Sequence, residues 1–257
     1  MTRVGVVGAT GKMGREVCRS VAAAPDLDLV AAVSRSAAGD RLADAIGLHG
    51  SDVVLAPRLD ALTDAGAEVL VDFTSGQYAP EHIEWGIDHG VHVVVGTTGF
   101  EVDERWRQAP VGVIVAPNFA IGAVLMMRFA ERAAEHFDAA EVIELHHDGK
   151  ADAPSGTAIA TADLIARARA GEWRAPEGDG AHPGARGADI GGVRVHSVRL
   201  PGLLAHQEVI LGGPGQTLSI RHDTTDRSSF MPGVLLAIRV VDSRPGLTVG
   251  LDDLLGP

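Results

Sequence analysis

Lysine is rare in this chain, and both lysines lie in segments whose residue types fit chemistry. The sequence has twenty arginines but only two lysines, Lys12 and Lys150. Arginine keeps its proton near neutral pH, whereas burial and neighbouring groups can tune a lysine ammonium to act as an acid. Lys150 follows the paired His146 and His147 and precedes a Ser-Gly-Thr turn. We therefore predict that Lys150 is a proton donor.

A binding group for a carboxylate is predicted shortly after Lys150. The order Pro154-Ser155-Gly156-Thr157 is typical of a helix start. The first backbone N–H groups of a helix have no partner within it, so together with the Thr157 hydroxyl they could bind an anion. A helix start without any ligand is the alternative.

Two other chemistries fit this segment less well. Neighbouring side chains of a strand face opposite sides, so His146 and His147 would not readily ligate one metal ion, and the sequence offers no convincing further ligands. A serine hydrolase built on Ser155 would be expected to carry the turn G-x-S-x-G, which is missing. No metal site is predicted, and a hydrolase is disfavoured.

The other lysine, Lys12, belongs to a glycine loop of the kind that binds dinucleotides. Gly8, Gly11 and Gly14 follow an apolar strand and open a helical pattern, a context in which glycines let the backbone approach a pyrophosphate. Their spacing is G-x-x-G-x-x-G instead of the usual G-x-G-x-x-G. The loop predicts a nucleotide site, with a plain strand-to-helix turn as the alternative.

A parallel sheet would position these loops. Short apolar runs alternate with helical patterns in the first half of the chain, as in βαβ units. The predicted strands cover residues 4–7, 29–33, 69–73, 91–95 and 111–116. Polar or glycine-rich turns follow four of them, and such sheets bind ligands at the carboxyl ends of their strands. In one of these turns, Thr97 and Thr98 could bind a carboxamide or position a cofactor ring.

The second half of the chain is organised differently. Helices are predicted over residues 121–137, 155–170 and 229–240, and strands over residues 141–147, 193–200, 206–211 and 217–223. The glycine-rich stretch 177–192 predicts a long surface loop. A second domain is therefore expected to begin after Phe119.

Composition limits the class of protein. The formal net charge is −12, and no basic run offsets it, which argues against a nucleic-acid partner. The uncharged segment of residues 111–127 is a little short of the roughly 20 apolar residues needed to span a bilayer, and Pro117-Asn118 interrupts it. One cysteine, Cys18, allows no intrachain disulfide, and no charged leader precedes the first strand. A cytoplasmic protein is therefore expected.

Seven strings of the sequence match one enzyme family in order along almost the whole chain. They are V-G-A-T-G-K-M-G-R at 7–15, D-F-T at 72–74, G-T-T-G-F at 96–100, A-P-N-F-A-I-G at 116–122, E-L-H-H-D-G-K-A-D-A-P-S-G-T-A at 144–158, and H-Q-E-V and F-M-P-G-V-L-L-A nearer the end. On these strings the chain resembles the 4-hydroxy-tetrahydrodipicolinate reductases, also called dihydrodipicolinate reductases. The string H-H-x-x-K-x-D-A-P-S-G-T is highly specific.

The resemblance implies a reaction and a set of residues for it. NADPH and/or NADH would reduce a cyclic imine dicarboxylate, with loss of a hydroxyl group as water. His146 would do acid/base work, Lys150 would donate a proton, and the substrate would be bound by His147 and by the turn Ser155-Gly156-Thr157. The cofactor contacts predicted from the resemblance and from the strand-end loops are Gly8, Ala9, Thr10, Gly11, Lys12, Met13, Ser34, Arg35, Phe73, Thr74, Gly96, Thr97, Thr98, Ala116, Pro117, Asn118 and Phe119.

The resemblance also implies the domains, within the α/β fold class. Residues 1–119 and 230–257 would form a Rossmann-like parallel-sheet domain that binds the dinucleotide. Residues 120–229 would form a smaller α+β domain that binds substrate and builds a homotetramer. Another two-domain nicotinamide oxidoreductase, such as an amino-acid dehydrogenase, would share the first-half loops, and a non-catalytic nucleotide sensor could dispense with Lys150.

The end of the second strand bears on the choice of cofactor. Many NADH-using relatives carry an acidic residue where this chain has Ser34, and that acid disfavours the 2′-phosphate of NADPH. Arg35 and Lys12 could direct cations to the same pocket, although Asp40 could replace the acid if its loop folded back. We predict that NADPH is used at least as well as NADH.

Overall fold

Two compact units make up the chain in a computed structural model, which describes residues 1–169, 171, 173–174 and 181–256. The first unit comprises Met1–Phe119 and Phe230–Pro257, and the second comprises Ala120–Ser229. Among the described residues, every helix is too short or too polar to cross a membrane.

Strands and helices alternate in the first unit, as the apolar runs predict. The strands within the described residues are β1 (Thr2–Val7), β2 (Leu27–Val33), β3 (Leu55–Ala56), β4 (Val69–Asp72), β5 (His92–Val95), β6 (Gly112–Val115), β7 (Ala139–His146), β8 (Ala188–Ile190), β9 (Val193–Arg199), β10 (Ala205–Gly213), β11 (Gln216–Thr224) and β12 (Gly246–Val249). The α-helices are α1 (Lys12–Ala23), α2 (Leu42–Ile46), α3 (Asp60–Asp64), α4 (Ala79–Asp88), α5 (Ile121–Ala134), α6 (Gly156–Ala168) and α7 (Met231–Val240). Short 3₁₀ turns cover Glu104–Gln108, Arg227–Phe230, Val241–Ser243 and Asp252–Leu254.

The sheet of the first unit is a doubly wound parallel sheet. Its seven strands lie in the order β12-β6-β5-β4-β1-β2-β3, and every pair is parallel. The order reverses between β1 and β4, and sheets of this kind bind ligands at that point, beyond the carboxyl ends of the strands. The predicted parallel sheet is therefore confirmed.

Helices bury apolar stripes against this sheet. In α1 the buried positions include Val17, Cys18 and Val21, which recur at helical spacing, and the helix ends two residues before Pro25. Later in the chain, Arg239 of α7 donates two hydrogen bonds to Asp26, of 2.7 and 2.9 Å. The C-terminal segment is thereby part of the first unit.

A mixed five-stranded sheet forms the second unit, in the order β11-β10-β7-β9-β8. Strands β7 and β9 are parallel, and the other pairs are antiparallel. Alternate residues of β7 face the core, where Val142 packs in a cluster with Met126 of α5 and Ile165 of α6. The predicted strands of this half are confirmed, with ends shifted by one or two residues.

The glycine-rich stretch 177–192 differs in part from the predicted loop. Residues 177–180 of the predicted loop lie outside the described residues, and Ala181–Ala185 is exposed. Residues 188–190 form β8, so the loop prediction is wrong there. An edge strand needs no apolar alternation, because Ala188 and Asp189 remain exposed while their backbone pairs with β9.

Candidate active site

The glycine loop after β1 has no room for side chains. Gly8 has a φ of +81°, and a Cβ there would lie 2.9 Å from the carbonyl oxygen of Phe73. A Cβ at Gly14 would lie only 2.1 Å from the carbonyl oxygen of Gly8. Gly11 closes the turn by donating its N–H to Gly8 at 2.9 Å. Glycine is thus required where the loop packs on the start of α1.

The amino terminus of α1 is suited to an anion. Gly11 is its N-cap residue and supplies no side-chain acceptor, and the first turn contains no acidic residue. The first N–H groups of α1 are therefore left for a ligand, and the helix dipole favours a negative charge there. Lys12 in the same turn is exposed, which adds a cation beside them.

A cavity of about 620 Å³ opens beside this loop. Seven residues of the predicted cofactor set line it, namely Gly8, Thr10, Gly11, Ser34, Arg35, Phe73 and Thr74. Among them, Ser34 is buried and its hydroxyl lies 2.7 Å from that of Thr10. The cavity therefore joins the carboxyl ends of β1, β2 and β4, as the strand order predicts.

Charged and aromatic side chains that sequence reasoning missed also line this cavity. The guanidinium of Arg35 lies over the ring of Tyr78, 4.2 Å from its centroid, and Arg58 adds a second cation. Asp40, the acid suggested as a replacement at the ribose, does not line this cavity; Asp60 and Glu81 do. Tyr78 and Glu81 were missed because neither belongs to a strand-end turn.

A buried carboxylate, Asp72, ties together the loops that follow β4 and β5. It accepts hydrogen bonds from the backbone N–H of Thr74 at 2.9 Å, from the Thr97 hydroxyl at 2.5 Å and from Nδ1 of His82. The hydroxyl of Thr97 is therefore used within the protein, whereas Thr98 is exposed. Of the two predicted threonines, only Thr98 has a side chain presented to solvent.

The remaining predicted contacts lie in the same strand-end loops. The ring of Phe73 fills the space that a Cβ at Gly96 would occupy, and it lies 5.8 Å from the ring of Phe119. Phe119 is itself buried, so its side chain belongs to the core. Ala9 and Ala116 are also buried, Pro117 is exposed, and Met13 and Asn118 are half-buried.

The second unit brings His146, Lys150 and the start of α6 into one site. His146 is the last residue of β7, and the N–H of Leu200 binds its carbonyl oxygen at 3.0 Å. Lys150 lies in the following loop and pairs with Asp152, with Nζ 2.8 Å from Oδ1. His147, between them, is exposed. A cation and an imidazole are therefore held a few residues from a helix start.

The turn at α6 offers backbone donors. Ser155 is the N-cap residue, and its hydroxyl accepts the N–H of Ala158 at 3.2 Å. Ser155 is buried, so it supports the turn, whereas Gly156 is exposed and Thr157 is half-buried. A Cβ at Gly156 would meet open space. The backbone donors available to a ligand are thus those of Gly156 and Thr157.

Sequence reasoning missed Glu144 and its partner Arg199. Glu144 has no exposed surface and accepts a bidentate pair of hydrogen bonds from Arg199, at 2.9 and 2.8 Å. It also accepts Nδ1 of His146 at 2.5 Å and the N–H of Ser155 at 3.2 Å. The sequence did contain a signal for Glu144. Side chains two positions apart on a strand face the same side, so an acidic residue two positions after Val142 is expected on the core face, where it needs a partner.

Two pKa values in this site are shifted. Burial alone would raise the pKa of Glu144, but the hydrogen bonds that it accepts, above all from Arg199, outweigh burial and lower it. For His146 burial lowers the pKa, and the nearby cations of Lys150 and Arg199 add to this effect against the opposing influence of Glu144. Near neutral pH the site therefore holds a carboxylate and a neutral imidazole.

Among the described residues, no group of three or more histidine, cysteine, aspartate or glutamate side chains lies close enough together to hold a metal ion.

Comparison with known proteins gives one consistent result. Residues 2–119 match the family model of the dihydrodipicolinate reductase N-terminus, and residues 122–255 match that of its C-terminus. The 4-hydroxy-tetrahydrodipicolinate reductase of Nocardia farcinica is 54% identical, with 98% of each chain covered, and that of Streptomyces griseus is 52% identical, with 98% of this chain and 97% of the other covered. Dipicolinate-bound dihydrodipicolinate reductase from Paenisporosarcina sp. TG-14 is a solved structure with a TM-score of 0.86 and 41% identity to this chain. The match covers 98% of this chain and 99% of that protein.

An amine dehydrogenase from Mycobacterium smegmatis, 13% identical with a TM-score of 0.64, shares the fold alone. This chain belongs to the dihydrodipicolinate reductase family.

Proposed function

We propose that this chain reduces 4-hydroxy-tetrahydrodipicolinate to tetrahydrodipicolinate with NADPH or NADH, releasing water, in the biosynthesis of lysine and diaminopimelate. The names of its relatives support the reaction, and the dipicolinate bound to its structural neighbour supports a dicarboxylate ligand. The observation that carries the proposal is the second unit's combination of His146, Lys150 and the uncovered turn of α6. A cytoplasmic site of action accords with this role.

The turn of α6 fits one carboxylate of such a substrate. The N–H groups of Gly156 and Thr157 are the first of the helix, and the Thr157 hydroxyl lies in the same turn. The hydroxyl of Ser155 accepts an N–H in capping and keeps its own hydrogen as a further donor to the carboxylate. A helix start favours an anion through its free donors and its dipole.

Lys150 and His146 fit the proton transfers of the reaction. A hydride that reaches a carbon conjugated to C=N pushes an electron pair toward the ring nitrogen and the adjacent carbon, so a proton must be delivered there. The ammonium of Lys150 can release a proton, and Nε2 of His146 can accept or pass one. The positive charge of Lys150 also offsets the two carboxylates of the substrate within an acidic protein.

The glycine loop and its cavity fit the cofactor. A Cβ at Gly8 or Gly14 would collide with backbone atoms, so glycine is needed for the tight turn that lets the backbone approach a pyrophosphate, and the N–H groups of α1 lack side-chain caps. A reduced nicotinamide supplies the hydride when it is bound. Gly8 and Gly11 would hold the pyrophosphate, while Ser34 and Arg35 would lie at the adenosine ribose.

The reaction itself is tested by following NADPH oxidation. The substrate is generated in place by a coupled dihydrodipicolinate synthase, because it is the product of that enzyme's reaction. NADPH consumption that depends on the coupled synthase supports the proposal. Its absence, in protein that binds NADPH, would contradict it.

Thr157 is expected to affect binding more than turnover. Replacing Thr157 with valine removes one hydroxyl donor to the carboxylate, so KM for the substrate should rise by about 5- to 10-fold, the value of one lost hydrogen bond. Pyridine-2,6-dicarboxylate, a planar mimic, should inhibit competitively with substrate and lose affinity for Thr157→Val by a similar factor. If the mimic neither inhibits nor raises the melting temperature in the presence of NADPH, the dicarboxylate assignment is wrong.

Arg35 is expected to decide part of the cofactor preference. Wild-type protein should use NADPH at least as well as NADH, because Ser34 stands where many NADH-using relatives carry an acid and the adjacent Arg35 lines the same cavity. Arg35→Ala should raise KM for NADPH by about tenfold and leave that for NADH within about twofold, by loss of one charged hydrogen bond. Arg41→Ala is the matched control, since Arg41 is exposed and pairs with Asp52. A tenfold preference for NADH in the wild type would refute the argument.

We also propose that the chain assembles into a homotetramer through the second unit. The family resemblance implies this assembly. Helices α5 and α6 cover one face of the sheet, and the alternate residues Ile143, Leu145 and Ile210 on its other face are partly exposed. A partly apolar face of this kind is suited to contact with a second copy.

A further inference from the structure

We propose that Glu144 and Arg199 are positioning residues for proton transfer, and that they hold His146 in one tautomer and the Lys150 loop in one place. The inference rests on the proposed function, because it assigns roles within that reaction. The chemistry of the substrate does not by itself require Glu144 or Arg199, and neither residue needs to contact the substrate. Their role comes from what the buried carboxylate of Glu144 binds.

The first step concerns the tautomer of His146. An ionised carboxylate can only accept hydrogen bonds, so His146 must donate to Glu144 from Nδ1. The other ring nitrogen, Nε2, then carries the lone pair of the neutral imidazole. Every proton that His146 accepts or passes on must move through Nε2. The Arg199 guanidinium keeps Glu144 ionised by binding both of its oxygens.

The second step concerns the loop that carries Lys150. Arg199 also donates Nε to the carbonyl oxygen of Lys150 at 3.2 Å and Nη2 to that of Asp152 at 2.5 Å. The guanidinium thus binds the backbone at both residues of the Lys150–Asp152 side-chain pair. A planar group with five donors can make these contacts and the carboxylate fork together, and an ammonium cannot.

The third step concerns the turn that is proposed to bind substrate. The N–H of Ser155 donates to Oε1 of Glu144, eleven residues before it in the chain. One buried carboxylate therefore contacts the acid/base residue and the start of α6 directly, and the lysine loop through Arg199. Loss of Arg199 would leave the buried charge of Glu144 without its cation, and loss of Glu144 would release all three elements together.

Glu144→Gln is the main test, with Glu135→Gln as its control. Glutamine keeps the size of the side chain but can donate to Nδ1 of His146, which would favour the other tautomer. Glu135 follows α5 in the same unit and pairs with Arg132 at 3.7 Å, but it is exposed and lies outside the sheet face proposed for assembly. We expect kcat to fall on the order of 10- to 100-fold for Glu144→Gln, as for partial loss of acid/base catalysis. KM for NADPH should stay the same, and Glu135→Gln should resemble wild type.

The pH profile separates positioning from a merely structural role. The charged groups that face His146 are Glu144, Lys150 and Arg199, and only Glu144 raises its pKa. Glu144→Gln should therefore move the limb of kcat/KM that belongs to His146 toward lower pH by about one unit or more. That limb is recognised by its loss in His146→Gln. A structural defect would lower the amplitude and leave the limb where it is.

Arg199→Lys covers the case in which Glu144→Gln does not fold. It keeps the charge but cannot hold both carbonyl oxygens of the loop, so kcat should again fall about tenfold or more. Melting temperature and oligomeric mass are recorded for all variants. Wild-type kcat and an unmoved pH limb in Glu144→Gln, or wild-type kcat in Arg199→Lys, would overturn the inference. Absence of turnover in the wild type would instead contradict the proposed function.

Discussion

Replacing Lys150 with alanine is expected to lower kcat by about 100-fold or more, the usual effect of removing a general acid. The reaction needs a proton near the substrate once hydride has been transferred, and Lys150 is the lysine of the second unit. His146→Ala should cause a loss of the same order, because the imidazole is the other proton-transfer group of the site. KM for NADPH should change by less than about twofold in both, since neither residue belongs to the glycine loop.

Lys150→Arg is the control that separates charge from proton transfer. Arginine preserves the positive charge but holds its proton too tightly to act as an acid near neutral pH. We expect Lys150→Arg to bind pyridine-2,6-dicarboxylate about as well as wild type and yet to remain slow in turnover. Steady-state kinetics and an inhibitor titration measure the two effects. Turnover like that of the wild type in Lys150→Ala would end the assignment of this lysine as the proton donor.

A methyl group at position 14 is expected to abolish tight cofactor binding. In Gly14→Ala the new Cβ would lie 2.1 Å from the carbonyl oxygen of Gly8 and 3.0 Å from the Cα of Ala9. These are backbone atoms, so relief requires α1 to move away from the loop that is proposed to hold the pyrophosphate. NADPH affinity should fall by at least about tenfold, and the free energy of unfolding by about 1–3 kcal/mol, as for other overpacked sites.

Gly212→Ala provides the comparison for this variant. Gly212 has ordinary backbone geometry, and a Cβ there would meet no atom within 4 Å. Fluorescence titration with NADPH and thermal unfolding of both proteins measure the two effects. If Gly14→Ala binds NADPH as tightly as the wild type, the glycine loop does not form the cofactor site.

Much of the first unit could be predicted because its signals are local. A buried parallel strand is largely apolar, so β1, β4 and β6 are visible as short runs rich in valine, with leucine in β4 and isoleucine in β6. The close contacts of Gly11 and Gly14 in the first loop lie within six residues of the chain, whereas Gly8 packs against Phe73, 65 residues further on. The start of α6 is a capping pattern of four residues. Steric and hydrogen-bonding requirements between residues that lie close together in the chain can be recognised from the sequence alone.

Elements that depend on a distant partner could not be predicted. Residues 246–249 are a strand because the edge of β6 is available to pair with them, and their own sequence contains only two aliphatic residues. Tyr78 lies in a loop, and its contact with Arg35 arises only when β2 and the segment after β4 meet at one edge of the sheet. Neither feature leaves a periodic pattern, because the partner lies many residues away.

The amino-acid sequence by itself determined the family, the residue types of the site and the position of each along the chain. The tertiary structure decided how that chemistry is held. Glu144 would be too costly to bury in an apolar core without Arg199, its partner 55 residues further along the chain. The parallel pairing of β7 with β9 places Arg199 opposite His146, two residues beyond Glu144. This pairing brings the guanidinium of Arg199 to the carboxylate of Glu144. A buried charge is stable only where an oppositely charged group contacts it. Here that contact depends on the register of β7 and β9, which no local sequence pattern predicts.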